Sequence, residues 1–249
     1  MIPALLRQST KHRLFPDFSV RSDELEIMDS GDCTGAELAQ AYSELGRVNR
    51  FLGGTAAVVR PLSALIQSRY LTEFSILDIG AGASDIPRSL IDWGRANRYR
   101  VRCVALDLSD QALQASRDTL AGYPEVTLVR ADALRLPFPP KAFDFATASM
   151  FFHHLSTPAA AEVLRALHGL VRVGFIVNDL HRHPVAYYAF WVLSRLFSRN
   201  RLIRNDGLVS ILRGFTPEDY ARLRALAGLQ QLVTRRYFPY RVVLIGQHE

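Results

Sequence analysis

The chain has 249 residues, 49% of them apolar, which suffices for one large domain with a full core. It contains no run of roughly twenty apolar residues, so we expect no membrane-spanning helix. Residues 1–15 lack the apolar core and cleavage site of a signal peptide. A cytoplasmic location is therefore expected.

The formal net charge is +6, and only Lys11 and Lys141 among the basic residues are lysines. A nucleic-acid-binding protein concentrates its positive charge in a patch, whereas these arginines are scattered along the whole chain. We therefore expect no nucleic-acid partner. The densest group, between Arg195 and Arg204, leaves an anionic membrane surface or an acidic partner open.

Cysteine and histidine spacings give little sign of a disulfide or a metal site. Cys33 and Cys103 are far apart in sequence, and a cytosolic chain rarely forms a disulfide. The pair His153–His154 has no acid or cysteine beside it at helical spacing, and the same holds for His181 and His183. No metal is expected.

Two helices are predicted near the N-terminus. Thr34 and Glu37 have the spacing of a capping box, and apolar residues then recur at helical intervals. The glycines of NRFLGG, residues 49–54, end this helix. A second helix is predicted at about 56–70, so residues 1–72 are expected to form a helical extension.

From residue 75 onward, short apolar runs alternate with helical patterns. Strands are predicted at 75–80, 101–109, 126–133, 142–150 and 171–180, and helices at 85–96, 110–121 and 157–169. Strands that alternate with helices of this length imply a parallel sheet covered on both faces.

The end of the chain has a different pattern. A helix at 216–228 is followed by two strands, 229–238 and 240–247, whose short link suits antiparallel pairing. The predicted fold is α/β: a Rossmann-like, seven-stranded, mostly parallel sheet with an antiparallel final strand and helices on both faces. This domain would span 73–249.

An aromatic-rich insertion is predicted within this domain at 181–214. Its sequence HPVAYYAFWVLSRLFS is apolar on most sides, which indicates a buried helix. An insertion after a strand lies at the ligand edge of an open α/β sheet, so the segment is expected either to pack on the core or to cap an apolar acceptor.

The most informative motif is SILDIGAGASDIP at residues 75–87. A buried strand that breaks into a glycine turn and continues as a helix makes a pocket for a nucleotide-like ligand. Asp78 precedes the turn of Gly80 and Gly82, and Ser84 stands where a dinucleotide site has its third glycine. A carboxylate at this place suits a cationic ammonium group and repels a pyrophosphate.

The Asp-x-Gly-x-Gly motif resembles the first motif of class I S-adenosylmethionine-dependent methyltransferases. The next strand ends in Asp107, whose carboxylate would accept hydrogen bonds from two ribose hydroxyls. The resemblance implies S-adenosylmethionine as the cofactor, with Asp132 and Ala133 at the adenine and Met150 beside the methyl donor. The residues expected at the donor are Asp78, Gly80, Gly82, Asp107, Leu108, Asp132, Ala133 and Met150.

Three further segments narrow the resemblance. NRFLGG, NDLHRHP at 178–184 and LRGFTPEDY at 212–220 resemble small bacterial methyltransferases of polyketide or phenolic natural-product pathways. This resemblance implies a small aromatic or polyketide-like acceptor, and it places NRFLGG in a lid near the cofactor.

The expected reaction is an in-line displacement, in which a hydroxyl acceptor must lose one proton. Histidine is the natural base, and the candidates in order are His154, His181, His153 and His183. Asp179 would orient a histidine or cap the inserted helix. O-methylation is the favoured interpretation.

Three alternatives stay open: C-methylation of a quinone or isoprenoid ring, RNA methylation, and a non-catalytic binding protein on the same fold. The sequence leaves the oligomeric state undetermined.

Overall fold

A computed structural model describes residues 14–30 and 32–248. The helices are α1 (Ile27–Ser30), α2 (Gly35–Phe51), α3 (Gly54–Ser68), α4 (Asp85–Ala96), α5 (Asp110–Thr119), α6 (Thr157–Leu170), α7 (Pro184–Phe197), α8 (Arg201–Arg213) and α9 (Pro217–Ala227). The strands are β1 (Glu73–Ile79), β2 (Arg100–Asp107), β3 (Val126–Arg130), β4 (Phe143–Ser149), β5 (Val171–Leu180), β6 (Val233–Tyr237) and β7 (Arg241–Gln247). A short 3₁₀ helix, Phe152–His154, follows β4.

The strands form one sheet in the order β3-β2-β1-β4-β5-β7-β6. Strand β7 runs antiparallel to both of its neighbours, and the other pairs are parallel. The predicted fold class is therefore confirmed. The winding reverses between β1 and β4, so their carboxyl ends form the crevice in which open α/β sheets bind ligands.

Both faces of the sheet are covered, as the sequence predicted. Side chains alternate along β1, so Leu77 and Ile79 face a core closed by α6 and α9. Phe74 and Ile76 face the opposite core, which α3 and α4 close. The near-continuous apolar runs of the central strands follow from this burial on two sides.

The N-terminal helices have different roles. Thr34 and Glu37 form the expected capping box of α2. Helix α3, which the sequence assigned to the extension, instead covers the sheet and buries Val58, Leu62 and Ile66 there. Of the N-terminal helices in the described residues, α1 and α2 lie toward the carboxyl edge of the sheet, where α2 packs against α5 and α8.

The insertion consists of two helices. Helix α8 packs against α1, α2 and the 3₁₀ helix, and it is buried on several sides. The prediction that the aromatic segment is buried is wrong for most of α7, in which only Tyr187 and Ser194 are buried. Because α8 lies between α7 and the N-terminal helices, α7 has α8 as its main packing neighbour.

Candidate active site

The glycine turn follows β1 at the carboxyl edge of the sheet. Gly80 and Gly82 have φ values of +63° and +55°, a region that favours glycine. A Cβ on Gly80 would clash with the Phe151 ring, so this position has no room for a side chain. Ser84 adopts a left-handed conformation too, and its buried hydroxyl is hydrogen-bonded to Ser116 at 2.8 Å. The turn therefore presents bare backbone at the crevice.

Asp107 joins the end of β2 to this turn. Its Oδ2 accepts a hydrogen bond from the Gly82 backbone N–H at 2.8 Å, and its Oδ1 accepts one from the Ser109 N–H at 2.9 Å. Each carboxylate oxygen has a second lone pair, which suits the vicinal hydroxyls of a ribose. Tyr42 of α2 lies close enough that Asp107 adds to the rise of its pKa, which burial chiefly raises to about 12.

Asp78 lies beneath the turn, in the sheet itself. It pairs in register with Thr147 of β4, and the Thr147 hydroxyl donates to Asp78 Oδ1 at 2.5 Å. Burial raises the pKa of Asp78 to about 8; the Thr147 hydrogen bond opposes the rise, and the nearby Asp85 and Asp107 carboxylates add to it. A cationic ligand beside the turn would therefore stabilise the ionised form.

A partly buried chain of polar side chains, which sequence reasoning missed, connects α2 with this turn. Asp85 accepts a hydrogen bond from the Asn49 amide at 2.7 Å, and Asn49 Oδ1 accepts one from Arg241 at 2.9 Å. Arg241 also donates to the Leu52 carbonyl at 2.8 Å. Asn49 and Asp85 both stood inside recognised motifs, but only the folded chain shows that they are partners.

The remaining expected donor residues also lie along the carboxyl edge. Strand β3 ends at Arg130, earlier than expected, so Asp132 stands in a loop and accepts a hydrogen bond from the Leu134 N–H at 2.9 Å. Ala133 is buried, whereas Leu108 is 60% exposed. Because β3 is shorter than expected, Asp132 and Ala133 lie in the loop that follows it. The contacts of these residues and of Leu108 with a donor stay predictions.

Met150 follows β4 with a φ of +57°, and its backbone N–H donates to the Asn178 carbonyl at 2.8 Å. Its sulfur accepts a hydrogen bond from Arg241 at 3.4 Å. Met150 therefore stands between the ends of β4 and β7, next to the residue whose ring covers Gly80. Its predicted position beside the methyl donor is compatible with this geometry.

His153 is fully buried between two carboxylates. Its Nδ1 lies 2.7 Å from Asp179 and its Nε2 lies 3.4 Å from Glu26. Burial alone would lower the pKa of His153, but the two carboxylates outweigh it and raise the pKa to about 10. A histidine that is already protonated at neutral pH cannot accept a proton, so this environment favours an internal ion pair over the predicted base role.

His154 has a different environment. Its Nδ1 lies 2.9 Å from a carboxylate oxygen of Asp29 in α1, and its side chain is 28% exposed. Its backbone N–H donates to the Phe151 carbonyl at 3.1 Å, so it lies one 3₁₀ turn from the residue that packs on Gly80. His154 thus has an orienting carboxylate, solvent access and a position one 3₁₀ turn from Phe151.

The second histidine pair lies beside the start of β7. The ring centroids of His181 and His183 are 5.4 Å apart, and His183 stacks on Tyr240 at 4.7 Å. Burial, helped by an electrostatic interaction with His183, lowers the pKa of His181 to about 4. His183 Nδ1 accepts the Val185 N–H and caps α7. His181 is therefore neutral but weakly basic.

Glu26, His153 and His154 bring three candidate metal-ligand atoms within 4.8 Å of one another. Sequence spacing gave no sign of Glu26. Its carboxylate accepts a hydrogen bond from the Ser210 hydroxyl at 2.6 Å, and Arg213 donates to the His153 and His154 carbonyls. The negative charges of Glu26 and Asp179 are thus balanced by the protonated His153 and by the Arg213 guanidinium. These groups form a charge-compensated cluster.

Comparison with known proteins supports a methyltransferase. Residues 76–174 match a family model described as a methyltransferase domain. The demethylmenaquinone methyltransferase of Lysinibacillus sphaericus (strain C3-41) is 29% identical over 102 residues, which are 39% of this chain. The match spans 43% of the length of that curated relative.

Two solved structures share the fold. Human N-acetylserotonin methyltransferase, in complex with S-adenosylmethionine, superposes with a TM-score of 0.63 and 15% identity over 97% of this chain and 65% of its own. A methyltransferase from Aquifex aeolicus gives a TM-score of 0.58 and 14% identity over 84% of this chain and 97% of its own.

Residues 76–174 therefore resemble a methyltransferase domain, and the sheet has the Rossmann-like fold of the solved methyltransferases. S-adenosylmethionine is the cofactor bound in the structure of the human N-acetylserotonin methyltransferase. The residues fit that cofactor: the turn is bare backbone, and Asp78, Asp85 and Asp107 surround it with carboxylates that suit a cationic sulfonium and ammonium.

Proposed function

We propose that the protein is an S-adenosylmethionine-dependent O-methyltransferase that acts on a hydroxyl of a small aromatic or polyketide-like acceptor. The observation that carries this proposal is the His154–Asp29 pair. It lies one 3₁₀ turn from Phe151, whose ring packs against Gly80 of the donor turn. A base beside the donor is what methylation of a hydroxyl requires.

When bound, the cofactor supplies a methyl group already activated on a sulfonium. The residues of the chain then have to orient the acceptor, exclude water and remove one proton. Asp29 holds Nδ1 of His154, which leaves Nε2 to accept the proton from the acceptor hydroxyl. His181 is the second candidate for the same role.

Helices α1 and α2 are proposed as the lid over this reaction. They carry Asp29, Tyr42 and Asn49, each of which contacts or faces a residue of the site. The Arg241–Asn49–Asp85 chain would hold the lid against the donor turn. We further propose that the protein acts in the cytoplasm, without a nucleic-acid partner.

C-methylation of a quinone ring is the second candidate, because the curated relative is named a demethylmenaquinone methyltransferase. In the reduced, hydroquinone form of such a ring, ionisation of a hydroxyl would make the ring carbon nucleophilic, and the ring carbon would lose its proton after the methyl group is added. His154 would therefore serve either reaction. A panel of phenols, resorcinols and quinones, analysed by mass spectrometry, distinguishes the two. Fragmentation shows whether the added methyl group is on oxygen or carbon.

The base assignment is tested by His154→Gln, which keeps a polar side chain but cannot accept the proton. We expect kcat to fall by about 10²–10⁴-fold with unchanged donor affinity. His248→Gln is the matched control, because His248 contacts the His168 carbonyl beyond the end of β7, at the opposite edge of the sheet.

Equal turnover in His154→Gln and wild type would contradict the assignment, and His181→Gln in the same assay tests the second candidate. Donor binding without transfer to any member of the panel would favour the non-catalytic alternative.

A further inference from the structure

Helix α7 exposes an apolar face to solvent. The exposed apolar side chains on it are Val185, Tyr188, Ala189, Val192, Leu193, Leu196 and Phe197. With about 100° of rotation per residue they cover roughly half of the helix circumference, and we call this surface the α7 face. Leu196 is 69% exposed and Phe197 is 82% exposed.

The opposite side of α7 is firmly packed. Tyr187 is fully buried against Leu208 and Ile211 of α8, and its ring meets Phe18 edge-on at 5.6 Å. The helix is therefore held with its apolar face outward. Large exposed apolar surfaces of this kind mark binding sites for proteins or membranes.

The apolar surface continues beyond α7. The Tyr188 hydroxyl donates to the Leu14 carbonyl at 3.0 Å, which places residues 14 and 15 next to the helix. Leu14 is 58% exposed and Phe15 is 85% exposed. The surface thus draws on two separate segments of the chain.

Basic and aromatic residues border this surface. The Arg195 guanidinium lies 4.2 Å from the Trp191 ring centroid, and Arg199 is exposed just beyond the end of the helix. The sequence from 181 to 204 contains no acidic residue. Arginines beside an apolar face, with tyrosine and tryptophan nearby, match a helix that lies in the interface of an anionic membrane.

We propose that the α7 face binds the surface of an anionic lipid bilayer, with Arg195 and Arg199 against the headgroups. The helix has 14 residues, or about 21 Å, too short for a hydrocarbon core of about 30 Å. No helix of the described residues is long and apolar enough to cross a membrane. A symmetric pair of chains would bring like-charged borders together, so a lipid surface fits better than a second copy.

This attachment has a consequence for the acceptor, which rests on the proposed function. Helix α7 begins at the carboxyl edge of the sheet, directly after the segment that holds His181 and His183. A bilayer on the α7 face would therefore lie near the edge that carries the active site. The acceptor is then a lipophilic aromatic that partitions into the bilayer.

The test is co-sedimentation of the full chain with phosphatidylcholine vesicles, with and without phosphatidylglycerol. The double variant Leu196→Asp/Phe197→Asp should bind the mixed vesicles at least about a hundredfold more weakly. Leu226→Asp, on an exposed leucine of α9, is the matched control and should bind like wild type. Arg195→Glu/Arg199→Glu should lose the preference for anionic lipid.

Two results would overturn the proposal. The wild-type protein could fail to bind both kinds of vesicle, or the wild type and the Leu196→Asp/Phe197→Asp variant could bind the mixed vesicles with equal affinity. A wild-type dimer in light scattering that this variant separates, without vesicle binding, would assign the face to a second copy and also overturn it. Methyl transfer to a water-soluble phenol should be the same in this variant and wild type, so failure of the surface and failure of the proposed reaction are told apart.

Discussion

The proposed donor side and the proposed acceptor side of the carboxyl edge are built in different ways. The donor side consists of a glycine turn, Gly80 to Gly82, and of Asp107, which bonds to that turn. The acceptor side brings together side chains from α1, the segment before it, the 3₁₀ helix and the end of β5: Glu26, Asp29, His153, His154 and Asp179. A glycine turn and an acid at the end of the next strand are visible in sequence, whereas a cluster of side chains from distant segments is not.

The largest expected effect is on the acceptor side. Asp179→Asn removes one of the two carboxylates that contact the protonated, fully buried His153 ring. We expect a loss of about 3–5 kcal/mol in the free energy of unfolding, because breaking a buried ion pair leaves an uncompensated charge. Urea unfolding monitored by circular dichroism measures this loss.

Glu125→Gln is the control, since it removes a carboxylate from a surface pair with Arg95 and should cost less than about 1 kcal/mol. Similar losses in the two variants would contradict the role given to Asp179.

His153 has a raised pKa, so its contribution to stability is present below pH 6.5 and is lost as the pH rises through about 10. This alkaline loss should be smaller in Asp179→Asn.

An intermediate effect is expected on the donor side. Asp107→Ala removes the proposed acceptor for the ribose hydroxyls and the hydrogen bond that Asp107 accepts from the Gly82 N–H. Donor affinity, measured by calorimetry, should fall about tenfold to a hundredfold. Asp110→Ala, an exposed acid paired with Arg130, should leave affinity unchanged. Normal affinity in Asp107→Ala would refute the ribose assignment.

The smallest effect is expected at Asp78. Its carboxyl binds a proton more tightly in the folded than in the unfolded protein, so stability falls as the pH rises from about 4 to about 8. Asp78→Asn should therefore stabilise the ligand-free protein by about 0.5–2 kcal/mol above pH 8, while it weakens donor binding. Thermal unfolding at acidic and alkaline pH measures the gain.

Asp118→Asn, at an exposed acid on α5, is the control and should leave the thermal stability close to that of the wild type. A gain in Asp78→Asn that is equal at both pH values would show that the effect does not come from titration of this carboxyl.

Much of the fold could be predicted from the sequence, because it depends on local patterns. The apolar strands, the capping box at Thr34 and the late antiparallel strands are all observed. The glycine turn was also predictable, since positive φ at Gly80 and Gly82 needs that residue type. These features require no knowledge of which distant residues meet.

The failures have one physical cause. An apolar pattern indicates that a helix packs against another element, but it does not identify that element or the helix face that it covers. Helix α3 therefore looked like part of the extension although it covers the sheet, and α7 looked buried although α8 occupies the place beside the N-terminal helices.

The sequence by itself determined the α/β class, the glycine turn and the acid Asp107 at the end of the next strand, because backbone conformation and the order of elements along the chain are encoded locally. Only the tertiary structure decided the state of the histidines. His153 is held protonated by Glu26 and Asp179, whereas His154 is oriented by Asp29. These two neighbours differ in chemistry because folding brings different carboxylates to them, and Coulomb interactions depend on distance in space rather than along the chain.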